Sequence, residues 1–198
     1  MTGDTAMRKE DFVKLASRYP LAAAMKTSKD MELALTSRAS LLFVLRGNAF
    51  HLEPYIERVH QQGKGVVVHI DLIGGVGKDR AGIKYLRKIG VDAIITSRSQ
   101  LIAAARAEGL LTIQRLLLLE DSALERGVRT IAHASPDFVE VLPGIIFPEV
   151  AATLRSLLPG PFIAGGFIRT PEEVRHIQAA GAILCSSSTT SLWNDLSL

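Results

Sequence analysis

Read for its apolar and polar positions, the chain breaks into eight short apolar runs, each followed by a stretch with helical spacing or helix-start residues. The runs lie at about 21–25, 41–45, 65–70, 93–96, 111–116, 138–142, 162–166 and 182–186. Strict alternation of strand and helix predicts a parallel sheet buried on both faces. The fourth run, Ala93-Ile-Ile-Thr96, is short, and the fifth continues into the apolar tract Leu116 to Leu119, which leaves its end open by several residues. Before the first strand, residues 8–18 put Phe12, Leu15 and Ala16 on one side and Lys9, Lys14 and Arg18 elsewhere. This is the pattern of a short amphipathic helix, suited to closing the bottom of a barrel.

Length selects between a closed and an open sheet. Shared among eight units, 198 residues leave about 25 each, close to the smallest βα repeat that works. The expected architecture is therefore a single (β/α)8 barrel of near-minimal size over residues 19–198, after a tail and short helix over 1–18 in which Met1 to Ala6 read as disordered. A doubly wound open sheet would want a glycine-rich turn after its first strand, where this chain has Lys26-Thr-Ser-Lys-Asp30. A content of 47% apolar and 22% charged residues suits one globular α/β domain. The single cysteine, Cys185, falls inside the last strand, so no intrachain disulfide forms and the residue reads as a buried, inert thiol. No apolar run approaches the ~20 residues of a membrane span. The first twenty residues carry Asp4, Arg8, Lys9, Glu10 and Asp11 where a signal peptide needs an apolar core, so a cytoplasmic protein without membrane contact is expected.

Candidate chemistry gathers at strand ends. Gly165 and Gly166 lack a Cβ and let the backbone approach an anion, while Ser186, Ser187, Ser188 and Thr189 add hydroxyls and N–H groups after the next strand. In a (β/α)8 barrel the loops after strands 7 and 8 form the recurrent phosphate site, so a small phosphorylated ligand is expected. His69 and Asp71, two apart on the third strand, share a face. They read either as a metal or acid/base pair or, as favoured here for want of a third ligand, as a hydrogen-bonded pair shaping a pocket. Glu140 is a carboxylate inside an apolar strand and needs a partner, for which Arg115 and Lys26 are the plausible cations. The turn Ile73-Gly-Gly-Val-Gly-Lys-Asp79 fails the P-loop signature: Leu72 stands where its first glycine belongs, and Asp79 replaces the magnesium-holding hydroxyl. A long mobile loop, with Lys78 or Arg80 reaching an anion when it closes, fits it better. No complete metal or nucleophile constellation is evident, so neither a metal nor a catalytic residue is expected. Net charge is +3, and Arg80, Lys84, Arg87 and Lys88 share one helical face. That face is either solvated or a phosphate-backbone footprint. It carries no interleaved aromatic residue, and no recognised RNA-binding motif is present.

The order of these motifs is itself informative. His69-Ile-Asp-Leu-Ile73, Thr112-Ile-Gln-Arg115, Pro136-Asp-Phe-Val-Glu-Val-Leu-Pro-Gly144, Ile163-Ala-Gly-Gly-Phe-Ile168 and the serine-rich end with Leu192-Trp193 together resemble the glycerol-3-phosphate-responsive antiterminator family over about residues 18–194. The resemblance implies a barrel that senses glycerol 3-phosphate as effector, needs no cofactor, and acts on leader messenger RNA so that a terminator hairpin does not stop transcription of a glycerol-utilisation operon. Where the family tends to have Asp-Leu-Ile-Glu-Gly-Leu-Ser, this chain has Asp71-Leu-Ile-Gly-Gly-Val-Gly77, losing a carboxylate at Gly74 and a hydroxyl at Gly77. Three functions are compatible with the residues: a ligand-controlled RNA-binding regulator, a phosphosugar or triose-phosphate isomerase or epimerase, and a metabolite-sensing module acting on a protein partner. The fold hosts all three, and the resemblance favours the regulator. The transcript and the oligomeric state, a homo-oligomer among the options, stay open.

Overall fold

The computed structural model describes residues 6–198. Its first strand, β1 (Leu21–Met25), is buried at every position because its two faces meet different cores. Leu21, Ala23 and Met25 pack outward beneath helices, and Ala22 and Ala24 pack inward. The same two-sided burial explains why β2 (Leu41–Val44), β4 (Gly65–His69), β6 (Ala93–Thr96), β7 (Leu111–Leu117), β8 (Phe138–Leu142), β9 (Phe162–Gly165) and β10 (Leu184–Ser187) are apolar through most of their length. These eight strands close into a parallel barrel in the order β1-β10-β9-β8-β7-β6-β4-β2. The seam is β1 on β10, with Leu21 opposite Cys185 and Ala22 opposite Ser186. The expected (β/α)8 barrel is thus what the chain forms. Two further strands of two residues each, β3 (Gly47–Asn48) and β5 (Ile73–Gly74), pair with one another above β2 and β4 and were not legible as strands.

Around the barrel run α2 (Ser28–Leu35), α3 (Ala49–Gln61), α4 (Arg80–Lys88), α5 (Gln100–Ala107), α6 (Asp121–Ala134), α7 (Phe147–Leu157) and α8 (Pro171–Ala179). A 3-10 turn, Thr190–Asn194, follows β10 in the place of a last helix. Capping boxes start α2, where Thr27 and Asp30 bond each other's backbone, and α8, where Thr170 and Glu173 do the same. Among the described residues no helix is long and apolar enough to cross a membrane.

The preceding helix, α1 (Lys9–Arg18), fills the bottom of the barrel. Phe12, Leu15 and Ala16 join the inward side chains Ala22, Leu41, Val67, Phe138 and Ile163 in one cluster, and the Phe12 and Phe138 rings lie 4.4 Å apart. Of the tail read as Met1 to Ala6, residues 1–5 lie outside the described ones. With the bottom packed by apolar side chains, only the upper end of the barrel, where the strands' C-termini and their loops lie, is left for polar chemistry.

Candidate functional site

Along four strands the inward-facing position changes from apolar to polar at one height. Ile113 is followed by Arg115 on β7, Phe138 by Glu140 on β8, Leu184 by Ser186 on β10, and Val67 by His69 on β4. Register sets Arg115 beside Glu140 and Ser186 beside Gly165. Glu140 is 1% exposed and is matched on both oxygens: Arg115 Nε donates to Oε2 at 2.6 Å, and Ser186 Oγ donates to Oε1 at 3.1 Å. Gly165 makes this contact possible, because a Cβ there would sit 2.6 Å from Glu140 Oε1 and 2.7 Å from Ser186 Oγ.

Arg115 also reaches His69, which is buried, with Nη1 2.8 Å from Nε2. A guanidinium only donates, so Nε2 is the acceptor and the ring proton is assigned to Nδ1. Burial, and then the charge of Arg115, push the His69 pKa down to about 4, so the imidazole is neutral at physiological pH. Its Nδ1 has no hydrogen-bond partner; the nearest carboxylate oxygen, of Asp71, is 3.9 Å away.

Asp71 does not stand beside His69 on the strand as the two-residue spacing implied. The strand ends at His69, and Ile70–Leu72 forms a 3-10 turn that swings Asp71 toward the next loop. There Asp71 Oδ2 accepts from Thr96 Oγ1 and from the Ser97 amide, both at 2.9 Å, and Arg98 Nε lies 3.2 Å from Oδ1. Asp71 thereby ties together the loops that follow β4 and β6.

At the rim, Gly166 has φ +88° and Phe167 φ +61°, a left-handed turn that a side chain at Gly166 would strain. Ser187 is buried and structural: its hydroxyl donates to Ile168 O at 2.6 Å and accepts from the Thr189 amide at 3.1 Å. Ser188 is exposed and accepts from Lys26 Nζ at 3.1 Å. A cavity of about 420 Å³ is lined at its rim by Lys26, Gly166 and Ser188, on its floor by Arg115, Glu140 and Ser186, and on its walls by Arg46, Leu72 and Leu142. A second cavity of about 280 Å³ adjoins it between Lys26, Gly166, Arg169 and the Ser187–Thr189 turn.

The structure therefore brings Lys26, Arg115, Glu140, Gly166, Ser186 and Ser188 to one cavity. Gly165 and His69 support its floor, and Ser187 and Asp71 brace the loops around it. The glycine loop expected to be mobile is pinned by the β3–β5 pairing, and Lys78 Nζ folds back to donate to Ile73 O at 2.6 Å. Arg80, Lys84, Arg87 and Lys88 lie on α4 and line neither cavity. Arg80 Nε is 3.2 Å from Glu108 Oε1, Lys84 and Lys88 are exposed, and Arg87 is half-buried. Arg46 was passed over in the sequence because no motif surrounds it; its position just past the second strand, matching that of Lys26 past the first, is the signal that could have found it. Among the described residues no group of three His, Cys, Asp or Glu side chains is placed to hold a metal ion.

Comparison with known proteins gives a consistent picture. The model of the family described as glycerol-3-phosphate responsive antiterminator matches residues 21–193. The crystal structure of a glycerol uptake operon antiterminator regulatory protein from Listeria monocytogenes is similar, with 35% identity and a TM-score of 0.81 over 87% of this chain and 94% of that one. A glycerol uptake operon antiterminator-related protein from Thermotoga maritima has 29% identity and a TM-score of 0.78 over 88% and 98% of the two chains. The uncharacterized protein YgcP of Escherichia coli is 29% identical over 180 residues, 90% of this chain and 94% of its own.

Proposed function

The chain belongs to the glycerol-3-phosphate responsive antiterminator family, and from that premise we propose that it binds glycerol 3-phosphate in the barrel mouth and thereby controls its grip on the leader of a glycerol-utilisation messenger RNA. The observation that carries the ligand assignment is the cavity of about 420 Å³, with its cationic rim and hydrogen-bonding floor. A phosphate dianion between Lys26 Nζ, Ser188 Oγ and the Gly166 backbone gains charge-assisted hydrogen bonds. The two hydroxyls of the glycerol then point down to Arg115, Glu140 and Ser186, which can both donate and accept. At about 420 Å³ the cavity lies in the range of small-molecule sites.

The same geometry supports sensing over catalysis. A general base needs a free lone pair and a pKa near the working pH. The Nε2 lone pair of His69 is held by Arg115 and its pKa sits at about 4, while the Glu140 carboxylate is held in an ion pair with Arg115. For the ligand to act as a switch it must bind two states of the protein unequally, and Lys26, which lines the cavity and stands in the turn into α2, is the residue best placed to register it.

Isothermal calorimetry tests the assignment. Glycerol 3-phosphate binds, glycerol does not, and Lys26→Met weakens binding about tenfold or more, the scale of one hydrogen bond to a charged group. Equal affinity for glycerol and its phosphate overturns the assignment. Turnover of triose or pentose phosphates that disappears in His69→Ala favours the enzyme reading instead.

A further inference from the structure

Next to the effector cavity lies a third one that the proposed ligand does not fill. It measures about 160 Å³ and lies between the turn into α2 and the start of α3, with Lys26, Arg46, Asn48 and His51 among its lining residues and no carboxylate. Among the described residues the side chains of Arg46 and His51, both exposed, make neither a hydrogen bond nor an ion pair, so an arginine and an imidazole line this cavity unmatched. The N-terminal end of α3 adds a helix's positive pole, whereas that of α2 is matched by Asp30, whose Oδ2 accepts from the Lys26 and Thr27 amides. The segment is also rigid. Gly47 and Asn48 pair with Ile73 and Gly74, Asn48 Oδ1 caps α3 by accepting from the Phe50 amide at 3.1 Å, and Tyr85 Oη donates to Ala49 O at 3.0 Å.

On the same turn stands Phe50, 84% exposed, in the first turn of a helix whose inner face is otherwise packed. A lone exposed phenylalanine means little. One on the helix turn next to a cationic cavity with no carboxylate in its lining has the two parts that single-stranded nucleic acid readers combine, a ring on which a base stacks and cations that take the adjoining phosphate. We infer that the segment Arg46–His51, with Lys26, holds one nucleotide of RNA, its phosphate in the cavity and its base on the Phe50 ring. This rests on the RNA-binding reading above and moves the contact from α4, whose basic face has no aromatic platform and whose Arg80 is matched by Glu108, to the rim of the effector cavity. The acids on α3, Glu53 and Glu57, lie one and two turns beyond Phe50 and line none of the cavity. Lys26 lines both cavities, which puts the RNA contact next to the effector site.

Fluorescence anisotropy with the leader RNA of a glycerol-uptake operon, run beside inorganic polyphosphate, tests this. Phe50→Ala weakens RNA binding about tenfold and polyphosphate binding less than about twofold, because only the former stacks. Phe50→Trp restores the RNA affinity, and Arg46→Ala lowers the salt slope by about 0.7, one single-strand phosphate contact. Lys84→Ala with Lys88→Ala on α4 leaves the RNA affinity within about twofold. If the wild-type protein binds the leader and Phe50→Ala does not change that, the inference falls while the RNA-binding reading stands. If Phe50→Ala instead breaks up an oligomer and leaves RNA binding intact, the ring belongs to a protein contact and the inference falls as well. If the wild-type protein binds no leader RNA, the broader reading fails and this one with it.

Discussion

Replacing Arg115 by methionine removes the only cation among the described residues that is bonded to Glu140, a carboxylate that is 1% exposed. The methionine stem fills much the same space, so the perturbation is chiefly electrical. Glu140 keeps its bond to Ser186 but loses the 2.6 Å contact that offsets its desolvation, and His69 Nε2 loses its donor. Breaking one partner out of a buried ion pair costs about 3–5 kcal/mol, against a total stability of about 5–15 kcal/mol for a domain. The single variant should therefore lose about a fifth or more of its stability in urea unfolding, with an unchanged slope. Adding Glu140→Gln removes the orphaned charge while keeping an acceptor for Ser186, and should recover most of the loss. A single variant that loses less than about 1 kcal/mol, or a double variant no more stable than the single, refutes the claim that this pair is a desolvated, mutually dependent unit. Calorimetry on the same two proteins separates stability from sensing, since neither should bind glycerol 3-phosphate as the wild type does.

His69 gives a pH signature. Its folded pKa of about 4 lies below the unfolded value of about 6.5, so its contribution is complete above pH 6.5 and is lost as pH falls toward 4, by up to about 3 kcal/mol. A His69→Gln variant should show a flatter loss of unfolding free energy across that window; an unchanged slope would mean that His69 is not buried neutral. His60 titrates with the opposite sign, its pKa raised by a 3.0 Å contact with Asp92. That contact strengthens the fold below pH 6.5 and fades as pH rises through the raised value, which His60→Ala should abolish in a pH-dependent melt. Gly165→Ala should disrupt the floor, because its Cβ falls within 2.7 Å of both Glu140 Oε1 and Ser186 Oγ. The expected result is a loss of about 1–3 kcal/mol together with ligand binding, and undisturbed calorimetry would show that the Glu140–Ser186 bond is not part of the site.

The barrel was legible because its signal is periodic and repeated: eight apolar runs at near-equal spacing leave few alternatives, and β1, β6 and β8 match the expected spans. The two-residue pairing of β3 with β5 left no trace, since Gly47, Asn48 and Gly74 are turn residues by composition and the two segments become a ladder only when β2 and β4 are neighbours. Site chemistry was legible where one residue contradicted its surroundings, as Glu140 does in an apolar strand. It was not legible where the role depends on which way a side chain turns. Ser187 and Ser188 look alike in sequence, yet strand alternation sends the first into the packing against Ile168 and the second to Lys26. Asp71 looked like a strand partner of His69 because a 3-10 turn three residues long leaves no mark in a hydrophobic pattern. Arg46 and Phe50 carry no motif and gain meaning only from the cavity that Arg46 lines with Lys26 and His51, the residue next to Phe50.

Reconstituted transcription tests the central claim most directly. A template carrying the leader and terminator of a glycerol-utilisation operon is transcribed with purified polymerase, the protein and glycerol 3-phosphate, each added alone and together at one fixed salt concentration. Full-length transcript should rise only when protein and glycerol 3-phosphate are both present, and the rise should vanish in Lys26→Met. Readthrough that is unchanged by the ligand, or that glycerol supports as well as its phosphate, would contradict the account.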